Sequence, residues 1–477
     1  MPLAESVKAR IREIVGAENT ADDMATRYIY GSDASLHHCM PDIVVRPENP
    51  RQVQEIVRIC NEERIPIVVR GAGTGLSGQT VPVRGGIVMD MMRMNRILSI
   101  RIEDLYIEVE PGVVFAKVNE ALAPYGYWFP PAPGSGDVCT IGGMIGNSAS
   151  GIRTIKYGAT RDLVMGLEVV LADGTLIEVG NRTVKNASGY QLEKLFVGSE
   201  GTLGIVTKAR LRILPKPKSS GSLIASFDSL AAAGAAISEV YKNRLMPSAL
   251  EIMDTNCIQA VKKAFGTPLP DAAAIIIIEM DGDPRVVEED LKAAGEICRA
   301  AGAQNIDYAT EPSKIARIWE SRKSVLPAMA RSGERGPISL ADDMGIPISR
   351  VAEVIGQFPD IAKKYNIVIG AYGHAGEGNI HGKVLLNLKS EREWEAGRKA
   401  TDEIYEAVLK AGGTMSAEHG IGITRARLFK VERGPAVEVM RKIKRALDPN
   451  NILNPGKIFD APDDMYSYNR YVMGGDD

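Results

Sequence analysis

Apolar and charged residues alternate at helical spacing through MPLAESVKARIREIVGAEN, which predicts an amphipathic surface helix at the start of the chain. A secretory signal would instead carry an unbroken apolar centre. The same spacing predicts a helix over 51–63, followed by a strand over 65–69 (IPIVV) and a glycine loop over 71–78 (GAGTGLSG). From 86 to 214 the pattern turns to short strands with turn signals: GIVMDM, YIEVEPG and GLEVVLADGTLIEVG, where Asp173-Gly174 joins two apolar runs as a hairpin. After the proline and lysine break LPKPKSS at 214–220, alanine-rich helical windows at 230–242 and 286–301 alternate with strands at 222–227 and 274–280. Helices around 397–411 and 435–447 lead into LDPNNILNPGKIF, and a polar tail without apolar period follows from 460. The reading is α+β. The longest apolar run, AAAIIIIEM, is far short of the roughly 20 residues that span a bilayer and reads as a buried strand.

At 477 residues the chain is too long for one core, so two or three domains are expected. A net charge of -3 gives no field that would gather nucleic acid or an acidic membrane surface. The five cysteines, Cys39, Cys60, Cys139, Cys257 and Cys298, contain no CxxC pair, so a disulfide framework, a zinc ribbon and an iron–sulfur cluster are unsupported. A reduced cytoplasmic protein without a transmembrane segment is expected.

GTGLSG at 73–78 fits GxGxxG after a strand, the shape of a dinucleotide fingerprint. That fingerprint needs a helix after its last glycine, and here Gln79, Thr80, Val81 and Pro82 follow, with Pro82 interrupting any such helix. The doubly wound nucleotide fold is therefore rejected. A loop of small residues still offers successive backbone N–H groups to a phosphate, and a plain tight turn is the alternative. A second loop, PAPGSGDVCTIGGMIGNSASG at 131–151, holds six glycines among small and hydroxyl residues, as a closely approached surface requires. Two such loops followed by VGSEGTLGIVT at 197–207 suggest a long dinucleotide laid between backbone segments, of the length of FAD.

In GAYGHAGEGNIHG, at 370–382, two of the five histidines stand seven apart. A hairpin centred on Glu377-Gly378 would set His374 opposite His381, with Cβ atoms about 4.5–5.5 Å apart, suited to two ligands on one ion. Two satisfied histidines are the alternative. Glu418 in SAEHGIG could complete a two-histidine, one-carboxylate set for a divalent metal with open positions. Arg322, in IWESRKSVLPAMA, reads on its own as a solvated helix charge.

The ordered motifs PDIVVRP, RGAGTGLSG, PPAPGS, TIGGMIGNSASG, GSEGTLGI, GHAGEGNIH, SAEHGIG and DPNNILNPGK span nearly the whole chain. With them the sequence resembles the FAD-linked oxidases of the vanillyl-alcohol oxidase and para-cresol methylhydroxylase (PCMH) type. Within that family it is most similar to the D-2-hydroxyacid dehydrogenases, namely D-lactate dehydrogenase, the glycolate oxidase catalytic subunit and D-2-hydroxyglutarate dehydrogenase. The resemblance implies a two-subdomain PCMH-type FAD-binding domain over 1–219. It also implies an α+β substrate, or cap, domain with an antiparallel sheet and the metal site over 220–420, and a C-terminal segment over 421–477 that returns to the FAD domain.

It further implies FAD contacts from Arg70, Gly71, Gly73, Thr74, Gly75, Leu76, Ser77 and Gly78 in the first loop, and from Pro133, Gly134 and Ser135 in the second. Thr140, Gly142, Gly143, Asn147, Ser148 and Gly151 continue the second loop, and Glu200, Gly204, Ile205 and Asn454 complete the set. Some relatives attach FAD covalently through a histidine in the first loop; that loop has none here, while His37 and His38 lie upstream, so FAD is expected to be non-covalent. By the same resemblance His374, His381 and Glu418 ligate one divalent ion (Zn, Mn or Fe), His419 is the base, and Arg322 grips the substrate carboxylate with its planar guanidinium.

The implied reaction is oxidation of a small D-2-hydroxyacid, D-lactate or glycolate first, to the 2-oxoacid, with metal-assisted deprotonation of the hydroxyl and hydride transfer to flavin N5. Leu326 and Ala341 replace polar positions associated with the hydroxyglutarate enzymes; Lys383 could hold a distal polar group of a substrate, but it reads first as a solvated edge-strand lysine. A D-2-hydroxyglutarate dehydrogenase, or a non-catalytic FAD-binding subunit of an oxidase complex, are the alternatives. The electron acceptor is expected to be separate: an electron-transfer flavoprotein, a quinone or an iron–sulfur subunit, with membrane association only through such a partner.

Overall fold

Asn49 caps the first long helix, Pro50–Glu63: its side chain accepts the N–H of Gln52 at 3.1 Å, and Pro50 occupies the first turn, where a missing N–H costs nothing. Val53, Ile56, Val57 and Cys60 recur at three- and four-residue spacing and bury one stripe. Arg64, left-handed at φ 56°, ends the helix and turns the chain toward the strand Ile67–Arg70. The predicted helix and strand are thus both present, each shifted by a residue or two.

The computed structural model describes residues 3–331, 333–338, 340–462, 465 and 468. Most of the polar tail expected from 460 therefore lies outside the described residues. The chain forms two units, one of residues 1–150, 158–216 and 418–477, the other of 151–157 and 217–417.

Among the described residues the first unit contains two larger sheets and a two-stranded pair, Tyr127–Trp128 with Leu214–Pro215. Strands Thr20–Ala21, Ile43–Val45, Ile87–Asp90 and Ile67–Arg70 lie in that order, the last three mutually parallel. An antiparallel sheet orders Ile97–Arg101, Tyr106–Val109, Ile205–Arg212, Val164–Val170 and Leu176–Gly180. Its last pair is the hairpin expected at Asp173-Gly174, where Gly174 takes φ 81°. The C-terminal segment belongs to this unit: Ile67 N–H donates to Ile452 O and Asn454 N–H to Ile67 O, each at 2.7 Å, which adds a parallel bridge beside the strand that feeds the first glycine loop.

The second unit is built on an eight-stranded antiparallel sheet. Its order is Asn305–Ala309, Ser219–Phe227, Ala274–Gly282, Ala249–Asp254, Val368–His374, Asn379–Leu386 and Gly336–Ile338, with Met344–Gly345 also paired to Asn379–Leu386. Ile275 to Ile278 are all buried, which explains the unbroken isoleucine run in a central strand covered on both faces. Helix Pro284–Ala300 packs on Ser219–Phe227, and Gly221 permits the approach, since a Cβ there would lie 2.4 Å from Leu291.

Two boundaries differ from expectation. The breaks fall after Lys216 and after Ala417, in place of 219 and 420, because Ser219 already begins a strand and the segment up to Ala417 is bonded to Asp343. Gly151–Tyr157 also belongs to the second unit: Ile155 N–H donates to Glu377 at 2.8 Å, Arg153 to Glu279 at 2.6 Å and Lys156 to Asp281 at 2.5 Å. A seven-residue excursion of this kind leaves no compositional mark. The second glycine loop also contains a helix, Ile141–Asn147, that glycine content concealed; Thr140 caps it by accepting the N–H of Gly143.

Candidate functional site

In the first unit the two glycine-rich segments meet at one cavity. Its lining includes Arg70 and Gly71 from the first loop, Thr140, Gly142, Gly143 and Asn147 from the second, and Glu200, Gly204 and Ile205 from the third motif. A Cβ on Gly71 would fall 2.2 Å from Thr140 Oγ1, and one on Gly142 2.7 Å from Pro111 Cβ, so side chains are excluded where the segments approach. Glycines recur in its lining, as a cofactor closely approached by backbone, such as FAD, requires.

Of the other expected contacts, Gly73, Thr74, Gly75, Leu76, Ser77, Gly78, Pro133, Gly134, Ser135, Ser148 and Asn454 do not line this cavity, and Gly151 belongs to the second unit. Ser77 and Asn454 instead tie main-chain segments of this unit together. Ser77 O accepts the N–H groups of Ile423 and Thr424, and Arg425 donates to Ser77 Oγ and to Gly420 O. Asn454 Nδ2 donates to Gln79 O at 2.9 Å and to Glu200 O at 2.6 Å. Gln79, Pro111, Phe196 and Ser199 line the cavity without having been expected there.

Glu200 orders the segment that carries Glu418 and His419. Its two carboxylate oxygens accept the N–H groups of Ile421 at 2.7 Å and Gly422 at 2.9 Å. Burial pushes its carboxyl up to about 7, against the pull of those N–H groups and of Lys457 and Arg425. Ser150 Oγ donates to Glu418 Oε2 at 3.1 Å, and His419 Nε2 stands 3.6 Å from Glu418 Oε1.

In the second unit the histidine hairpin has a different register from the expected one. His374 pairs with Asn379, and His381 pairs with Tyr372. The turn comprises Ala375 to Gly378 and is centred one residue earlier than Glu377-Gly378: Glu377 N–H donates to His374 O and Gly378, at φ 77°, closes onto Ala375 O. His374 and His381 are consequently diagonal neighbours on one sheet face, and their rings still meet edge to face at 5.4 Å.

Both rings are oriented by buried carboxylates that the sequence reading did not single out. Glu251 Oε1 binds His374 Nδ1 at 2.5 Å, and Asp342 Oδ1 binds His381 Nδ1 at 3.0 Å. A carboxylate on Nδ1 is the arrangement that fixes metal-binding histidines. Imidazoles and carboxylates of this kind suit a divalent ion.

Arg322 is buried, and its Nε donates to the second oxygen of Glu251 at 2.5 Å while its guanidinium lies 4.6 Å from the ring centre of Tyr372. Burial alone would raise the Glu251 carboxyl, but the Arg322 and His374 charges hold it down to about 2. Lys383 is 2 % exposed and lies in an interior strand, its Nζ 2.5 Å from Asp342 Oδ2. The expectation of a solvated edge lysine is therefore wrong: an ion pair compensates the desolvated ammonium. A glutamate inside the apolar strand ALEIMD was the available signal for Glu251, because a charge in such a run must have a partner.

Residues 41–180 match the family model "FAD binding domain", and residues 216–458 match "FAD linked oxidases, C-terminal domain". The chain is 38% identical over 460 residues to glycolate oxidase subunit GlcD of Bacillus subtilis, covering 96% of this chain and 97% of the relative. It is 34% identical to a probable mitochondrial D-lactate dehydrogenase of Danio rerio, covering 96% and 92%. Among solved structures, p-cresol methylhydroxylase with substrate bound is similar in fold at a TM-score of 0.77 and 21% identity, over 96% of this chain and 98% of that one. Among the described residues no helix is long and apolar enough to cross a membrane. The chain belongs to the FAD-linked oxidases and is an FAD-dependent oxidoreductase.

Proposed function

We propose that the protein oxidises a small D-2-hydroxyacid, D-lactate or glycolate, to the 2-oxoacid. The observation that carries this reading is Glu251, one buried carboxylate bound both to Arg322 and to His374. A cation for a carboxylate and an oriented imidazole for a metal are thereby held to a common anchor, as a substrate with adjacent carboxylate and hydroxyl requires. The names of the GlcD and D-lactate dehydrogenase relatives support the same substrate class.

When bound, FAD supplies the acceptor for a hydride, and a divalent ion on His374, His381 and Glu418 supplies Lewis acidity toward the substrate hydroxyl. Arg322 binds the carboxylate through its terminal nitrogens, its Nε being committed to Glu251. His419 takes the hydroxyl proton, and the C2 hydrogen leaves with its electron pair. Glu251 and Asp342 hold the two imidazoles through Nδ1. Lys383 is committed to Asp342, which favours a small monocarboxylate over a substrate with a second acid group. FAD is held without a covalent bond, and electrons pass to a separate acceptor: an electron-transfer flavoprotein, a quinone or an iron–sulfur subunit.

Anaerobic flavin bleaching with D-lactate, glycolate, D-2-hydroxyglutarate and the L-isomers tests the reading. Rapid bleaching by D-lactate or glycolate alone is expected. Preferential bleaching by D-2-hydroxyglutarate would move the assignment to the dicarboxylate enzymes, and no bleaching by any of them would favour a non-catalytic subunit.

A further inference from the structure

Gln79 follows the first glycine loop and is 4 % exposed. Its amide is fixed by chemistry: Nε2 donates to the backbone carbonyl of His419 at 2.5 Å, and a flipped amide would set oxygen against oxygen. Asn454 pins its backbone by donating to Gln79 O. The remaining atom, Oε1, is buried without a hydrogen-bond partner, in a residue that lines the nucleotide cavity. Such orphans are rare in folded proteins and ask for a ligand. Two glycines make room for this side chain, since a Cβ on Gly75 would lie 2.8 Å from Oε1 and one on Gly420 2.8 Å from Nε2.

We propose that Gln79 is a two-ended link, its Oε1 accepting a hydrogen bond from the bound flavin while its Nε2 holds the main chain of His419. Through it, cofactor occupancy and the placement of the residue assigned as base become one event. Gln79 is a positioning residue toward His419 and a direct contact toward FAD. The donor is a flavin N–H or O–H: oxidised isoalloxazine carries a single ring N–H, and the ribityl chain carries hydroxyls. This inference rests on the reading that FAD fills the cavity.

The test uses the holoprotein with Gln79→Leu and Gln79→Glu. Leucine removes both ends; glutamate keeps an acceptor and removes the donor to His419. In Gln79→Leu, FAD affinity is expected to fall about tenfold, and amide hydrogen exchange over 419–425 to accelerate while that over 141–147 stays unchanged. A shifted visible flavin band together with that loss identifies the ring N–H as donor; an unshifted band with the same loss identifies a ribityl hydroxyl. Gln79→Glu is expected to hold FAD within about threefold of wild type and still to lose protection over 419–425. Wild-type affinity and band in Gln79→Leu, or wild-type protection over 419–425 in either variant, overturns the link. If leucine prevents folding, Gln79→Glu decides alone, and loss of its flavin would remove the acceptor role. His419→Asn keeps the main-chain carbonyl, so normal flavin reduction in that variant would defeat the base assignment while leaving both readouts of Gln79 intact.

Discussion

Glu251 Oε1 and His374 Nδ1 stand 2.5 Å apart in the interior of the second unit, and the other oxygen of the same carboxylate holds Arg322. The contact follows from strand pairing. Ile252 pairs with Gly373, so Glu251 falls beside His374 across two antiparallel strands. A charge in such a position costs heavily without partners, and here it has two.

Glu251→Gln should therefore act in two ways. The His374 orientation loosens, so metal affinity should drop about 10- to 100-fold, read by metal analysis after dialysis against a graded chelator. Stability should also fall by about 3 kcal/mol near neutral pH, since a buried cation loses its counter-charge. The folded carboxyl titrates at about 2, below its ordinary 4.5, so ionised Glu251 stabilises the fold above pH 4.5 and that contribution is lost as pH falls through 2. The gap between the wild-type and variant melting temperatures should accordingly narrow below pH 4.5. A gap that widens on acidification would contradict the ion-pair account.

Removal of the divalent ion should separate two functions. The proposed ligands His374, His381 and Glu418 serve the substrate in this reading, and the glycine-lined cavity serves FAD. Chelation should abolish flavin bleaching by substrate while the protein stays yellow, and His374→Ala should do the same. Full bleaching in a metal-free preparation would remove the ion from the reaction.

Much of this arrangement was legible beforehand, and what was not has physical reasons. The 3.6 and 2 periodicities located Pro50–Glu63, Leu230–Lys242 and Ala274–Gly282 closely, because those elements bury one stripe or a whole strand. The hairpin between His374 and His381 was legible as a hairpin but not in register. The turn is closed by Gly378 onto Ala375 and by Gly376 N–H onto Leu250 O, a bond to another strand that symmetry about Glu377-Gly378 could not include. Lys383 was misread because alternation gives the face of a strand and not its place in the sheet, and an added strand at Gly336–Ile338 turns its edge into an interior. Glu251 and Asp342 lie about 120 and 40 positions from the histidines they orient, and only the fold pairs them.

Flavin retention should be sensitive to Gly71 and insensitive to covalent chemistry. A Cβ there would meet Thr140 Oγ1 at 2.2 Å, so Gly71→Val forces the first loop away from the cap of helix Ile141–Asn147. The variant should purify without its yellow colour, and acid precipitation of wild type should leave flavin in the supernatant. Flavin pelleting with the polypeptide would show an attachment that the first loop, without histidine, does not supply.

The strongest division is between Arg322 and His419, whose proposed tasks differ in kind. Arg322→Lys keeps a positive charge but cannot serve Glu251 and a carboxylate in one plane, so substrate binding should weaken by about 2–5 kcal/mol while the pH profile of flavin reduction keeps its shape. His419→Asn removes the proposed proton acceptor and leaves Arg322 untouched. Flavin reduction should slow about 100- to 10,000-fold, and a 2-oxoacid should still perturb the flavin spectrum at near wild-type concentration. The two variants thus exchange signatures, one losing affinity and the other rate. If His419→Asn reduces flavin at the normal rate with an unchanged acid limb, the hydroxyl proton leaves by another group, and the role of His419 reduces to what its backbone carbonyl does for Gln79.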